Sequence, residues 1–213
     1  LAAISFVESL NFDETLKLVC KRAELMSLCE KKNSGSMVAV LKLNIDAISK
    51  VCQNYKYAWC ANFNCPSQTV VALAKEHMKD FCKNIKQLGG ITIELPVSGA
   101  FHSPFMDEAS FELKCYLKEL NFKEPRIPIY SNTTAKPYKY NEFINLLSRH
   151  INNPVLWQST IENMISEGVD TFIEVGVGKT LINFVKKISP NSITLNIEDK
   201  ESLRATCLAL KCK

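Results

Sequence analysis

"SMVAVLKLNIDAISKVCQNYKYAWCANFNCPSQTVVALAKEHMKDFCKNIKQLGGITIELPVS", residues 36–98, carries the pattern that decides the fold. Its apolar, β-branched opening, "SMVAVLKL" (36–43), predicts a strand, and "NIDAISKVCQNY" (44–55) predicts a helix. "AWCANFNC" (58–65) and "SQTVVALA" (67–74) read as two strands on either side of the Pro66 turn. "KEHMKDFCKNIKQLGG" (75–90) predicts a helix stopped by paired glycines, and "ITIELPVS" (91–98) a closing strand. The order β-α-β-β-α-β is that of a split βαβ unit.

Working outward, that ferredoxin-like unit is inserted in something larger. On its N-terminal side "LAAISFVESL" (1–10) reads as a helix already in progress, which predicts a chain truncated at its N-terminus. Asn11 with Glu14 predicts a capped helix start, and Phe12, Leu16, Val19, Ala23 and Met26 fall on one apolar stripe with Arg22 at its border. Asn33-Ser34-Gly35 ends that helix. On the C-terminal side a loop runs into a helix over 99–120, followed by a proline-bounded strand "RIPIYSN" (126–132). A helix is expected from Tyr140 to His150, and another opened by Asn153-Pro154 with Pro154 in its first turn. Strand "DTFIEV", a glycine turn, helix "LINFVKKI", strand "SITLNI" and a helix from Glu201 close the chain. Strands alternating with helices predict an α/β layer with a mostly parallel sheet. The expected organisation is therefore a large α/β part formed by residues 1–35 and 99–213, with the small subdomain at 36–98.

Composition narrows the classes. The chain has 213 residues, ordinary globular composition and a net charge of +4, too dilute to argue for nucleic acid. It holds no apolar run of the roughly 20 residues that a membrane span needs. Nine cysteines without C-x-x-C pairs argue for free thiols in a reducing compartment, and with three histidines they supply a metal cluster poorly.

"GVGKT" (176–180) invites a phosphate-binding reading. A P-loop needs glycine five residues before Gly178, and Ile173 stands there. The glycines are better explained by a tight strand-to-helix turn.

The pointed segment is "LPVSGAFHSPFM" (95–106), with His102 in a loop after an apolar strand. Together with "PRIPIYSNTTAKPY", "NNPVLWQSTIENM", "FIEVGVGKTL", "NFDETLKLVCKRAELM" and "ANFNCPSQTVVAL", it resembles the malonyl-CoA:acyl carrier protein transacylases and the acyltransferase domains of fatty-acid and polyketide synthases. The resemblance implies an α/β-hydrolase-like subdomain carrying a ferredoxin-like one. It implies ping-pong chemistry in which a serine takes malonyl from coenzyme A and passes it to the phosphopantetheine thiol of acyl carrier protein. His102 matches the catalytic base and Arg22 the partner of the malonyl carboxylate. Phe101 matches the bulky residue that excludes an α-methyl branch, and Asn62 and Asn64 the cleft-lining strand. His150 stands where the family usually has Gln, whose backbone carbonyl orients the histidine.

Three departures stand out. No G-x-S-x-G occurs in the chain, so the serine is expected upstream of Leu1 and these residues alone are expected to be inactive. Besides His150, Cys65, Ser67 and Val177 replace the family's Ser, Gly and Pro. The resemblance implies malonyl-CoA as substrate, no metal or organic cofactor, an acidic carrier protein docking on lysines of "KEHMKDFCKNIKQ" and "VKK", no nucleic acid, no membrane and a monomer. Compartment is left open between cytoplasm, plastid and mitochondrion. The alternative is a non-catalytic relative that only binds the carrier protein.

Overall fold

The computed structural model describes residues 1–211. Helix α1 (Ala2–Phe6) leads into α2 (Phe12–Lys32). Asn11 caps α2 reciprocally: the Glu14 N–H donates to Asn11 Oδ1 at 2.8 Å, and the Asn11 N–H donates to Glu14 Oε2 at 3.2 Å.

The small sheet follows the expected order of elements. Strand β1 (Gly35–Leu41), helix α3 (Ile45–Cys52), strands β2 (Ala58–Cys65) and β3 (Gln68–Ala74), helix α4 (Met78–Gln87) and strand β4 (Ile91–Glu94) form a four-stranded sheet. Its order is β2-β3-β1-β4, and every neighbouring pair is antiparallel. This is the ferredoxin-like topology. Central β1 explains its own unbroken apolar run, because alternate residues serve opposite faces. Val38 and Val40 pack under the sheet with Ile48 of α3 and Phe81 and Ile85 of α4. Met37 and Ala39 pack above it with Ala61, Val70, Ala72 and Ala100. The second face is therefore covered by the segment that carries His102.

The larger part continues with α5 (Asp107–Leu117), α6 (Phe143–Arg149) and α7 (Trp157–Ser166). Strand β5 (Thr171–Val175), helix α8 (Thr180–Ile188), strand β6 (Ile193–Ile197) and helix α9 (Lys200–Lys211) complete it. Strands β5 and β6 pair in parallel from Thr171 opposite Ile193 to Val175 opposite Ile197. Helices α2, α5 and α6 close on a core of Leu18, Leu25, Met106, Leu113, Leu117 and Phe143.

Three local expectations are corrected. Phe12, Leu16 and Val19 do not face the core: Phe12 is 70% exposed, and all three line a groove with Phe6. The buried face of α2 is instead Thr15, Leu18, Leu25 and Cys29, and Arg22 sits on it, four residues after Leu18 and three before Leu25. "RIPIYSN" is not a strand; only Tyr130 makes a bridge, to Pro137. Prolines at 125, 128 and 137 remove the N–H donors that a ladder requires. Pro154 is not in a first helical turn, since α7 starts at Trp157. Residue Val155 is drawn into extended pairing with β2, its N–H donating to Ala61 O at 2.8 Å and its carbonyl accepting from Phe63 N–H at 2.9 Å.

Candidate active site

His102 reaches the site through an unusual backbone. Its φ is +58°, a left-handed conformation that costs a β-carbon-bearing residue about 1–3 kcal/mol. Neighbouring hydrogen bonds hold it there. The His102 N–H donates to Ile151 O at 2.9 Å, and the buried Ser103 hydroxyl donates to Ala100 O at 2.6 Å. The chain also passes so close to β1 that a β-carbon on Gly35 would lie 2.5 Å from the Ala100 nitrogen.

Around His102 lies a cavity of about 340 Å³, lined by Leu1, Arg22, His102, Asn132, Thr133, His150, Pro154 and Val155. Three of the expected residues, Arg22, His102 and His150, are thus brought together from α2, from the loop before α5 and from the end of α6. Asn62 stands one strand away, bridged to the cavity-lining Val155. Asn64 and Phe101 are not among the lining residues. The ring of Phe101 packs beside Gly99 and against two hydrophobic clusters. Asn132 and Thr133 line the cavity although the sequence reading assigns them no role. Their signal was the Ser-Asn-Thr-Thr turn, in which the Thr133 N–H donates to Ser131 Oγ at 3.2 Å.

The electrostatics suit a neutral base beside a free cation. Burial lowers the His102 pKa and the Arg22 charge lowers it further, while carbonyls of His150 and Asn153 oppose the shift. His102 Nδ1 and Thr133 Oγ1 are buried with no hydrogen-bond partner among the described residues. Arg22 is lowered by burial, and no ion pair engages it among the described residues. Behind the cavity, burial and then neighbouring positive charge push His150 down to about 3. Its Nε2 meets the Tyr138 hydroxyl at 2.7 Å and Ser131 Oγ at 3.3 Å.

The glycine turn lies elsewhere and is already satisfied. The Gly178 N–H donates to Glu198 Oε2 at 2.9 Å, and the N–H groups of Leu181 and Ile182 donate to the Glu174 carboxylate at 3.2 and 3.1 Å. Carboxylates occupy the donors that a phosphate would need.

The acyl transferase domain family matches residues 1–201. The chain belongs to the acyl transferase domain family. It is 34% identical over 194 residues to a polyketide biosynthesis malonyl CoA-acyl carrier protein transacylase of Bacillus subtilis, covering 89% of this chain and 66% of that protein. The crystal structure of a malonyl CoA-acyl carrier protein transacylase from Clostridium perfringens superposes with a TM-score of 0.94 at 35% identity, covering 98% of this chain and 67% of that one. A type II polyketide synthase acyl carrier protein in complex with its malonyl-transacylase matches with a TM-score of 0.92 at 26% identity, covering 95% and 67%. The chain thus spans about two thirds of the length of these relatives. The acyltransferase fold with its ferredoxin-like subdomain is the family's architecture. Among the described residues no His, Cys, Asp and Glu cluster could hold a metal, and no helix is long and apolar enough to cross a membrane.

Proposed function

We propose that this chain supplies the base and the carboxylate-binding residue of an acyltransferase that moves malonyl from malonyl-CoA to the phosphopantetheine thiol of acyl carrier protein. The observation that carries the reading is the unpaired Arg22 in one cavity with a neutral His102, both half-buried. A guanidinium without a carboxylate of its own is prepared to bind one bidentately, and malonyl carries a free carboxylate where acetyl does not. The names of the relatives supply the substrate class.

In the first half-reaction a serine hydroxyl, expected from outside these 213 residues, attacks the thioester carbonyl. His102 accepts the serine proton and returns it to the departing coenzyme A thiolate. In the second half His102 takes the proton of the carrier thiol, whose sulfur attacks the acyl-serine ester, and the proton returns to serine. The bond from the His102 N–H to Ile151 O fixes the backbone that aims the ring, and burial keeps the ring unprotonated between steps. Phe101 acts on selectivity through packing behind the site, and Asn62 and Asn64 through the strand that positions Val155. The reaction draws on no metal or organic cofactor. The carrier protein docks on lysines of residues 75–87 and of 185–187.

The test is transfer of radiolabelled malonyl from malonyl-CoA to carrier protein by the full-length protein. Serine-bound malonyl that turns over is expected, and loss of turnover in His102→Ala. Carrier-protein binding without any acyl-enzyme would overturn the catalytic reading in favour of a binding module.

A further inference from the structure

Two cysteines with no part in acyl transfer converge on the wall of the same cleft. Cys52 is the last residue of α3, and Cys60 lies near the start of β2. The chain between them turns back tightly, the Asn54 N–H donating to Val51 O at 3.1 Å and the Tyr55 N–H to Cys52 O at 3.0 Å. Both side chains join the apolar cluster under the small sheet. Both also line a second cavity of about 440 Å³ with Tyr55, Lys56 and Trp59, which shares His102 and Pro154 with the first.

The two thiols share that cavity and that apolar cluster, near enough for each to shift the other's ionisation. The neighbouring Cys52 thiol lowers the Cys60 pKa against the effect of burial, while Cys60 and burial raise that of Cys52. A thiol that ionises more readily beside one held protonated is the arrangement of an attacking and a resolving cysteine. The other half-buried and buried thiols of this subdomain differ: Cys82 contacts Met78 Sδ, and Cys65 contacts Ser67 Oγ, both at 3.7 Å.

We infer that Cys52 and Cys60 form a redox-active dithiol that hydroperoxides oxidise to an intramolecular disulfide. The Cys60 thiolate attacks one peroxide oxygen and the O–O bond breaks, leaving Cys60 as a sulfenic acid and, after protonation, one water. The Cys52 sulfur then attacks the Cys60 sulfur, the S–O bond breaks, and a second water leaves with the Cys52 proton. Two thiols and one hydrogen peroxide give one disulfide and two waters, the peroxide taking both electrons.

The pair can be read directly by mass spectrometry, without any activity. The purified protein is exposed to graded hydrogen peroxide, blocked with iodoacetamide and digested with trypsin, which places Cys52 in peptide 51–56 and Cys60 with Cys65 in peptide 57–75. The expected result is a joined pair of peptides lighter by two hydrogens than their sum. The link should part with dithiothreitol, persist in Cys65→Ser and form at peroxide levels that leave Cys82 free to alkylate. In Cys52→Ser, Cys60 should instead be trapped as a sulfenic acid by dimedone. Absence of the joined peptides, a link lost in Cys65→Ser, or Cys60 oxidising no sooner than Cys82 would overturn the inference.

Discussion

The Tyr138 hydroxyl and His150 Nε2 lie 2.7 Å apart in a half-buried site, joined by a hydrogen bond. Burial holds His150 neutral far below its ordinary range and raises Tyr138 well above its own, so the phenol keeps its proton. Both groups are therefore neutral at pH 7, and the hydrogen bond between them joins the loop of Tyr138 to the end of α6.

This pair should make the protein acid-sensitive. His150 titrates near 3 in the fold against 6.5 in the unfolded chain, so between those values the unfolded chain binds the proton and the fold does not. Stability should fall as pH drops from 6.5 toward 3, by about 1.4 kcal/mol per pH unit from this group. Urea unfolding at pH 7 and pH 5 checks it, with His150→Gln expected to reduce the difference. An equal loss in that variant would remove His150 as the cause.

Turnover should keep its base to lower pH than a free imidazole would allow. The lowered His102 pKa means that the acid limb of kcat/KM lies below pH 6.5, since the neutral ring persists there. His102→Ala should cost about 10²- to 10⁴-fold in turnover. An acid limb above 6.5 would contradict the buried position.

Arg22→Ala should separate malonyl from acetyl. Loss of a charge-assisted pair worth about 1.5–3 kcal/mol predicts roughly 10- to 100-fold weaker use of malonyl-CoA, with acetyl-CoA little affected. Arg22→Lys should recover only part, because an ammonium offers no planar fork. Equal losses for both substrates would take Arg22 out of the acyl pocket.

Gly35→Ala should disturb the site from outside it. The added carbon would meet the Ala100 backbone at 2.5 Å, forcing the loop that aims His102 to move. Overpacking of this kind costs about 1–3 kcal/mol, visible as a lower Tm. Turnover should fall with it; an unchanged Tm would show that the two backbones can part freely.

Glu174→Ala should loosen the glycine turn without creating a nucleotide site. Two N–H groups of the first turn of α8 lose their acceptor, a loss of about 0.5–2 kcal/mol. ATP titrated into either form should show no saturable binding. Saturable binding would revive the phosphate reading of 176–180.

Much of this was legible in one dimension because it rests on local periodicity and local caps. The split βαβ order of 36–98, the Asn11–Glu14 cap and the strand-turn-helix at 171–188 depend on residues within a few positions of each other. Ile173 excludes the P-loop, and the ordered motifs around His102 point to acyl transfer. Long-range competition decided the rest. The stripe of α2 is ambiguous in sequence because Phe12, Leu16 and Val19 match helical spacing as well as Leu18 and Leu25 do, and only packing against α5 chooses between the two faces. Pro154 looked like a helix start until pairing with Ala61 and Phe63 claimed Val155. The meeting of Arg22, His102, His150, Asn132 and Thr133 in one cavity, and of Cys52 with Cys60 beside it, brings together segments whose spacing in the chain carries no signal of contact. Residue types and local order determined what chemistry this chain can hold; tertiary packing alone decided which groups are buried, unpaired and near enough to perform it.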